Sequence, residues 1–207
     1  MKKFIILLVI GLFLSTPIAA SADLLGTGTL NVSWGSPTYA GYYLDYDGTV
    51  SNSTAPEIAN GFYEYMFCVS ADHANSVEDV TFYSIDSSLE AIIGSEYYTK
   101  ITKAAWIADN WAGYTSDAME AQIAIWDVTG VVEPIQGTHT AAQSLAADAV
   151  SGYSTNTWAL ALSGGSLEGG YQDYLLPDAP VPEPATMLLL GSGLVGLAGF
   201  RRKFKKK

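Results

Sequence analysis

Among the residues able to do covalent chemistry the chain offers a single cysteine, Cys68, inside the run GFYEYMFCVS. One cysteine makes no internal disulfide, which leaves three roles: a small buried hydrophobe, an intermolecular bridge, or a reactive thiol. The other candidates are poorly arranged. His73 and His139 are far apart and neither has metal-ligand spacing, so no metal and no cofactor are expected. No H-E-x-x-H, G-x-S-x-G or phosphate-cradling glycine loop occurs. Acidic residues are too numerous for any one pair to mark a glycosidase. A Lys–Asn isopeptide could start only from Lys100 or Lys103, and both fall on a helical stretch rather than a buried strand. Asp45-Tyr46-Asp47-Gly48 lacks the later ligands and closing Glu of a calcium loop. It reads as an Asp-Gly turn between strands.

The elements that must position Cys68 follow from the pattern of the chain. LLGTGTLNVSW, YAGYYLDYDGTV, GFYEYMFCVS and DVTFYSID are β-branched and aromatic runs separated by Gly, Pro and Ser, and read as antiparallel strands. In the third, Tyr63, Tyr65 and Phe67 alternate with Glu64, Met66 and Cys68. From about Tyr97 the period becomes helical, with Ile101, Ala104, Ala105, Ala108 and Trp111 on one face and Gly113 as the stop. Asp117 is placed to cap a second helix, with Glu120 completing a capping box and Gly130 as its left-handed end. Met119, Ile123 and Trp126 form its stripe. Thr140 with Gln143 repeats the capping pattern for a third helix, which would bury Ala142, Leu145, Ala146 and Ala149 before Gly152 closes it. Late strands around 157–163 and 171–176 complete an α+β fold of N-terminal antiparallel strands, about three central helices and C-terminal strands.

The aromatic strand ending in Phe67-Cys68-Val69, followed by helices carrying KAAWIADNW and EAQIAIWDVTG, resembles the thioester domains of bacterial surface adhesins over roughly residues 61–130. In that family a strand Cys bonds to a Gln in a helical T-Q-x-A motif followed by an aliphatic-Trp pair. The resemblance implies a thioester between Cys68 and Gln122, in Ala121-Gln122-Ile123-Ala124-Ile125-Trp126. Ala121 stands where the family has Thr, and Val-Ser follows Cys68. Such a bond needs its two side chains in near-attack geometry and shielding from water, for which Tyr65, Trp106, Trp111 and Trp126 are the candidates. The acyl group would then be an electrophile for an amine on a partner.

Both ends of the chain are targeting segments. Lys2 and Lys3, the apolar run Phe4 to Leu14 and the small residues Ala20-Ser21-Ala22 make a signal peptide over residues 1–22, cleaved after Ala22. At the other end Pro182-Glu183-Pro184 is rigid and extended. Ala185 to Phe200 is uncharged, and Arg201 to Lys207 is basic. The basic end holds in the cytoplasm and everything upstream lies outside. The apolar run is shorter than the roughly 20 residues that span a bilayer comfortably. Motif, helix and tail in this order resemble the PEP-CTERM sorting signal of Gram-negative envelope proteins. In that family Pro-Glu-Pro is the recognition element and a membrane protease, exosortase, cleaves near it.

Between residues 4 and 200 the only basic side chains besides histidine are Lys100 and Lys103, against 21 Asp+Glu. That balance argues against a nucleic-acid partner, whose phosphates need Lys and Arg, and against an anionic lipid surface. The expected organisation is a signal peptide (1–22), one exported thioester-like domain (23–176), a linker holding the Pro-Glu-Pro motif (177–184), a transmembrane sorting helix (185–200) and a cytoplasmic tail (201–207). The expected partners are exosortase, the inner membrane before processing, and amines on extracellular polymer or surface proteins. The expected protein is not an enzyme but a surface or matrix adhesin. The alternatives are a non-covalent component of a biofilm matrix with Cys68 merely buried, and an exported hydrolase.

Overall fold

The computed structural model describes residues 24–34, 38–39, 42–43, 46–70, 76–132, 138–164 and 172–177. The strands are β1 (Leu24–Trp34), β2 (Thr38–Tyr39), β3 (Tyr42–Tyr43), β4 (Tyr46–Ser51), β5 (Gly61–Tyr63), β6 (Phe67–Cys68), β7 (Val77–Ile85), β8 (Thr155–Ser163) and β9 (Tyr174–Pro177). Three helices, α1 (Glu90–Asn110), α2 (Ala118–Thr129) and α3 (Thr140–Asp148), lie between β7 and β8. Seven strands form one antiparallel sheet in the order β5-β4-β1-β7-β8-β9-β6, and β2-β3 is a separate hairpin. This is the expected α+β class. The signal peptide with Ala20 and Ala22, the Pro182-Glu183-Pro184 motif, the helix at 185–200 and the basic tail lie outside the described residues. Among those described, no helix is long and apolar enough to cross a membrane.

Alternation along the strands divides the apolar residues between two cores. Leu30 and Val32 of β1, Val80 and Phe82 of β7, Ala159 and Ala161 of β8 and Tyr174 and Leu176 of β9 share one face with Cys68. Leu160, Leu162, Leu175 and Phe67 point the other way, onto α1, α2 and α3. Fully burying each larger side chain contributes about 1.5–3 kcal/mol, so both faces hold the sheet in register. The sheet is curled. The Met66 N–H donates to the Tyr46 carbonyl at 3.0 Å, so the segment entering β6 meets β4 and the sheet wraps around the first core.

Three local readings need correction. Asp47-Gly48 is not a turn: both residues pair within β4, opposite Ser33 and Val32 of β1. Met66 fills the space beside Gly48: a Cβ there would sit 2.6 Å from the Met66 methyl, so a larger residue would make that buried side chain shift. GFYEYMFCVS is not one strand, since Tyr65 takes a left-handed φ of 60° and separates β5 from β6. The first helix starts earlier than its apolar period implies, at Glu90, with a break at Gly94 (φ 78°, ψ 159°). Asp86 braces the turn that leads into that start, its carboxylate accepting from the Ser88 N–H at 2.7 Å and the Ser84 hydroxyl at 2.8 Å.

Candidate functional site

α2 forms where its caps place it. The Asp117 carboxylate accepts the Met119 N–H at 3.0 Å, and Gly130 ends the helix at φ 80°. Glu120 does not complete a capping box. Its carboxylate instead takes the Ala142 N–H at 3.0 Å and meets His139 Nδ1 at 2.7 Å, so it caps α3 from a neighbouring helix. α2 is buried on two sides: Ala121, Ile123, Ala124 and Ile125 enter the helix-side core, while Trp126 enters the core inside the sheet. Gln122 lies between them with no solvent exposure. A buried amide must find partners, and Gln122 finds both in one residue. Its Oε1 accepts the Cys68 N–H at 2.9 Å, and its Nε2 donates to the Cys68 carbonyl at 2.8 Å.

The Cys68 thiol faces the sheet interior and donates to the Ser70 carbonyl at 3.1 Å. Burial pushes the thiol pKa up to about 12, and the nearby Asp173 charge adds to this, while hydrogen bonds with Trp126 and Tyr46 pull the other way. At neutral pH the sulfur is therefore a protonated thiol, and any nucleophilic step needs its proton removed as the bond forms. The surroundings are aromatic. Tyr46 stands edge-on to Trp126 at 6.5 Å and to Tyr174 at 5.8 Å. Burial raises the Tyr174 pKa, with the charges around it adding to the effect; its hydroxyl donates to Gln172 Oε1 at 2.9 Å.

The four expected shielding residues are divided by the fold. Trp126 is fully buried beside the thiol. Trp106 and Trp111 pack against the helix-side core, whereas Cys68 belongs to the core inside the sheet. Tyr65, 47% exposed, meets the Trp111 ring at 6.3 Å. Trp106 meets Tyr114 at 6.1 Å. Inside the sheet the enclosure is instead Trp126, Tyr46 and Tyr174, and the last two were not anticipated. Tyr46 fell in the misread turn. Tyr174 becomes a neighbour only through the β6–β9 pairing, in which it stands opposite Cys68. Among the described residues no three His, Cys, Asp or Glu side chains are grouped to hold a metal ion.

Comparison with known proteins bears on the C-terminus. Neither the curated proteins nor the solved structures contain a match to this chain. Residues 180–203 match the family model described as the PEP-CTERM protein-sorting motif. The matched span holds Pro182-Glu183-Pro184, the uncharged run and the first basic residues in that order. The chain thus carries a PEP-CTERM sorting signal, which marks it as an exported protein processed by exosortase.

Proposed function

We propose that the exported domain is a surface attachment module that forms an internal thioester between Cys68 and Gln122 and captures an amine from its partner. The observation that carries this reading is the double hydrogen bond holding the Gln122 carboxamide against the peptide of Cys68. It immobilises the electrophilic carbon next to the residue bearing the nucleophile, and positioning of that kind supplies much of the barrier lowering in acyl transfer. It also aims the Cys68 N–H at Oε1, the atom on which negative charge develops when sulfur adds to the carboxamide carbon. The buried aromatic enclosure favours survival of the product, because hydrolysis needs water at the same carbon. The partner would be a lysine-bearing protein or an amine-bearing extracellular polymer. Capture consumes the bond, so the module acts once and is not an enzyme with turnover.

The exported protein should be lighter than its sequence mass by one ammonia. Methylamine should add to Gln122 and free the Cys68 thiol, and Cys68→Ala should abolish both effects. A full sequence mass with no methylamine adduct would leave Cys68 as a buried core residue. Complete burial and the raised thiol pKa favour that second reading, in which the protein is a non-covalent component of the surface or matrix.

A further inference from the structure

The three helices cover only part of the sheet face on which they lie. Leu162 of β8 is buried beneath them, but strand pairing carries the same face on from Leu162 to Thr81 and Thr27. The next row runs from Asp79 through Thr29 to Ser51, and the one after it from Val77 through Asn31 and Thr49 to Phe62. Thr27, Thr29, Asp79 and Thr81 line a groove of about 390 Å³. Asn52, just after β4, and Gly164, just after β8, line it as well. Thr27, Asn52 and Asp79 are exposed. The Thr29 hydroxyl donates to Asp79 Oδ1 at 3.3 Å and the Gly164 N–H donates to the Asp79 carbonyl at 3.3 Å, so Asp79 is held from both sides.

We propose that this groove binds an uncharged oligosaccharide, reversibly and independently of the Cys68–Gln122 pair, with Phe62 as a second contact further along the same face. Cys68 belongs to the core inside the sheet, on the opposite face, so the two sites do not compete for space. Most small-molecule sites are largely apolar with a few polar groups. Here the side chains are three threonines, an asparagine and an aspartate beside the single apolar Val80, which suits a ligand that is polar all round. A carboxylate accepts from two neighbouring hydroxyls at once, while the amide and the threonine hydroxyls both donate and accept, and a sugar ring offers matching groups along its rim.

Charge selects against the other small polar ligands. The lining carries one carboxylate and no basic residue, so a phosphate, sulfate or uronic acid would meet like charge there. One carboxylate is also too little for a metal ion, and among the described residues no three His, Cys, Asp or Glu side chains are grouped to hold one. Phe62, on the edge strand β5, is 66% exposed and offers a flat apolar surface to the C–H groups of a sugar ring. From β7 to β5 is three strand spacings, roughly 14 Å along the sheet. That reach fits a chain of several rings, of which the groove takes one end and Phe62 the other.

The test applies the whole exported protein to an array of immobilised neutral, uronic-acid and sulfated oligosaccharides. Neutral oligosaccharides should retain it, and an excess of the same oligosaccharide in solution should release it. Retention that free oligosaccharide cannot reverse is covalent capture and overturns the groove as its cause. Asp79→Asn keeps the shape and removes the charge, and should weaken affinity in titration roughly tenfold or more, the usual worth of a hydrogen bond to a charged group. Asn52→Gly removes the amide while tolerating the backbone φ of 54°, and should weaken affinity several-fold. Phe62→Ala should weaken a neutral hexasaccharide and leave the matching disaccharide unchanged. An empty array overturns the assignment, as does retention on acidic oligosaccharides alone. So does an affinity that stays within about twofold of wild type in both Asp79→Asn and Asn52→Gly. If Asp79→Asn does not fold, Asn52→Gly decides.

Discussion

The side chain of Gln122 serves Cys68 as a neighbouring strand would. β6 is an edge of the sheet, paired on one side with β9, and on the other side the Gln122 carboxamide accepts from the Cys68 N–H and donates to its carbonyl. An edge strand that is both buried and unpaired would leave polar groups without partners, so a helix residue with one donor and one acceptor closes it.

That closure has a measurable stability. In a Cys68→Ala background, where no cross-link forms, adding Gln122→Ala leaves the residue 68 N–H and carbonyl buried without this partner. Unfolding free energy from urea titration should fall by about 2–4 kcal/mol, the cost of two unsatisfied backbone groups. A loss under about 0.5 kcal/mol would mean that water or a shifted backbone replaces the amide.

Asp86 makes the start of α1 acid-sensitive. Its partial burial would raise the carboxyl, but the bonds from Ser88 and Ser84 outweigh this and hold its pKa below the usual value. A carboxylate depressed on folding stabilises above its unfolded pKa, about 3.9, and that stability is lost as pH falls through the folded value. Wild type should therefore lose more stability than Asp86→Asn on acidification below about pH 4. Equal slopes of stability against pH in the two proteins would contradict this.

Glu120 ties α3 to α2. Glu120→Ala removes the acceptor for the Ala142 N–H and the contact with His139. It should cost about 1 kcal/mol, the usual size of a lost N-terminal cap. Hydrogen exchange should quicken first at the amides of Ala142 and Gln143, with α2 unaffected. Glu120→Gln keeps an acceptor and should retain most of the protection.

Sorting predicts a processed C-terminus. In a host with active exosortase, mass spectrometry of envelope material should find no mature peptide from Arg201 to Lys207. Full-length protein persisting in the membrane of that host would contradict processing at the Pro-Glu-Pro region.

What could be read in advance was local. β1 and β7 declare themselves by composition, α2 by Asp117 and Gly130, and the helical core by Ile101, Ala104, Ala105 and Ala108. What could not be read was set by contacts distant in sequence. Gly48 looks like a turn residue until Met66 packs over it, and Glu120 looks like half a capping box until α3 arrives to claim its carboxylate. The pairing of Cys68 with Gln122 was suggested by family resemblance alone. Tyr46, Tyr174 and Asp173 gather around the thiol only because the sheet curls, and no spacing in the chain encodes that.

The chain leaves the described domain from β9, the strand that pairs with β6, and continues toward the sorting signal. Tension on a protein held by its C-terminal side therefore enters at Pro177 and loads the pairing with Trp158 and Ala159 of β8 before it reaches Leu175 and Tyr174, which face Phe67 and Cys68. Without a cross-link, β6 resists through a few backbone bonds and the Gln122 amide. A thioester would join β6 to α2 but leave the β9–β6 bonds as they are, and amine capture breaks it, so once attached the domain bears load through its sheet hydrogen bonds and its two cores alone.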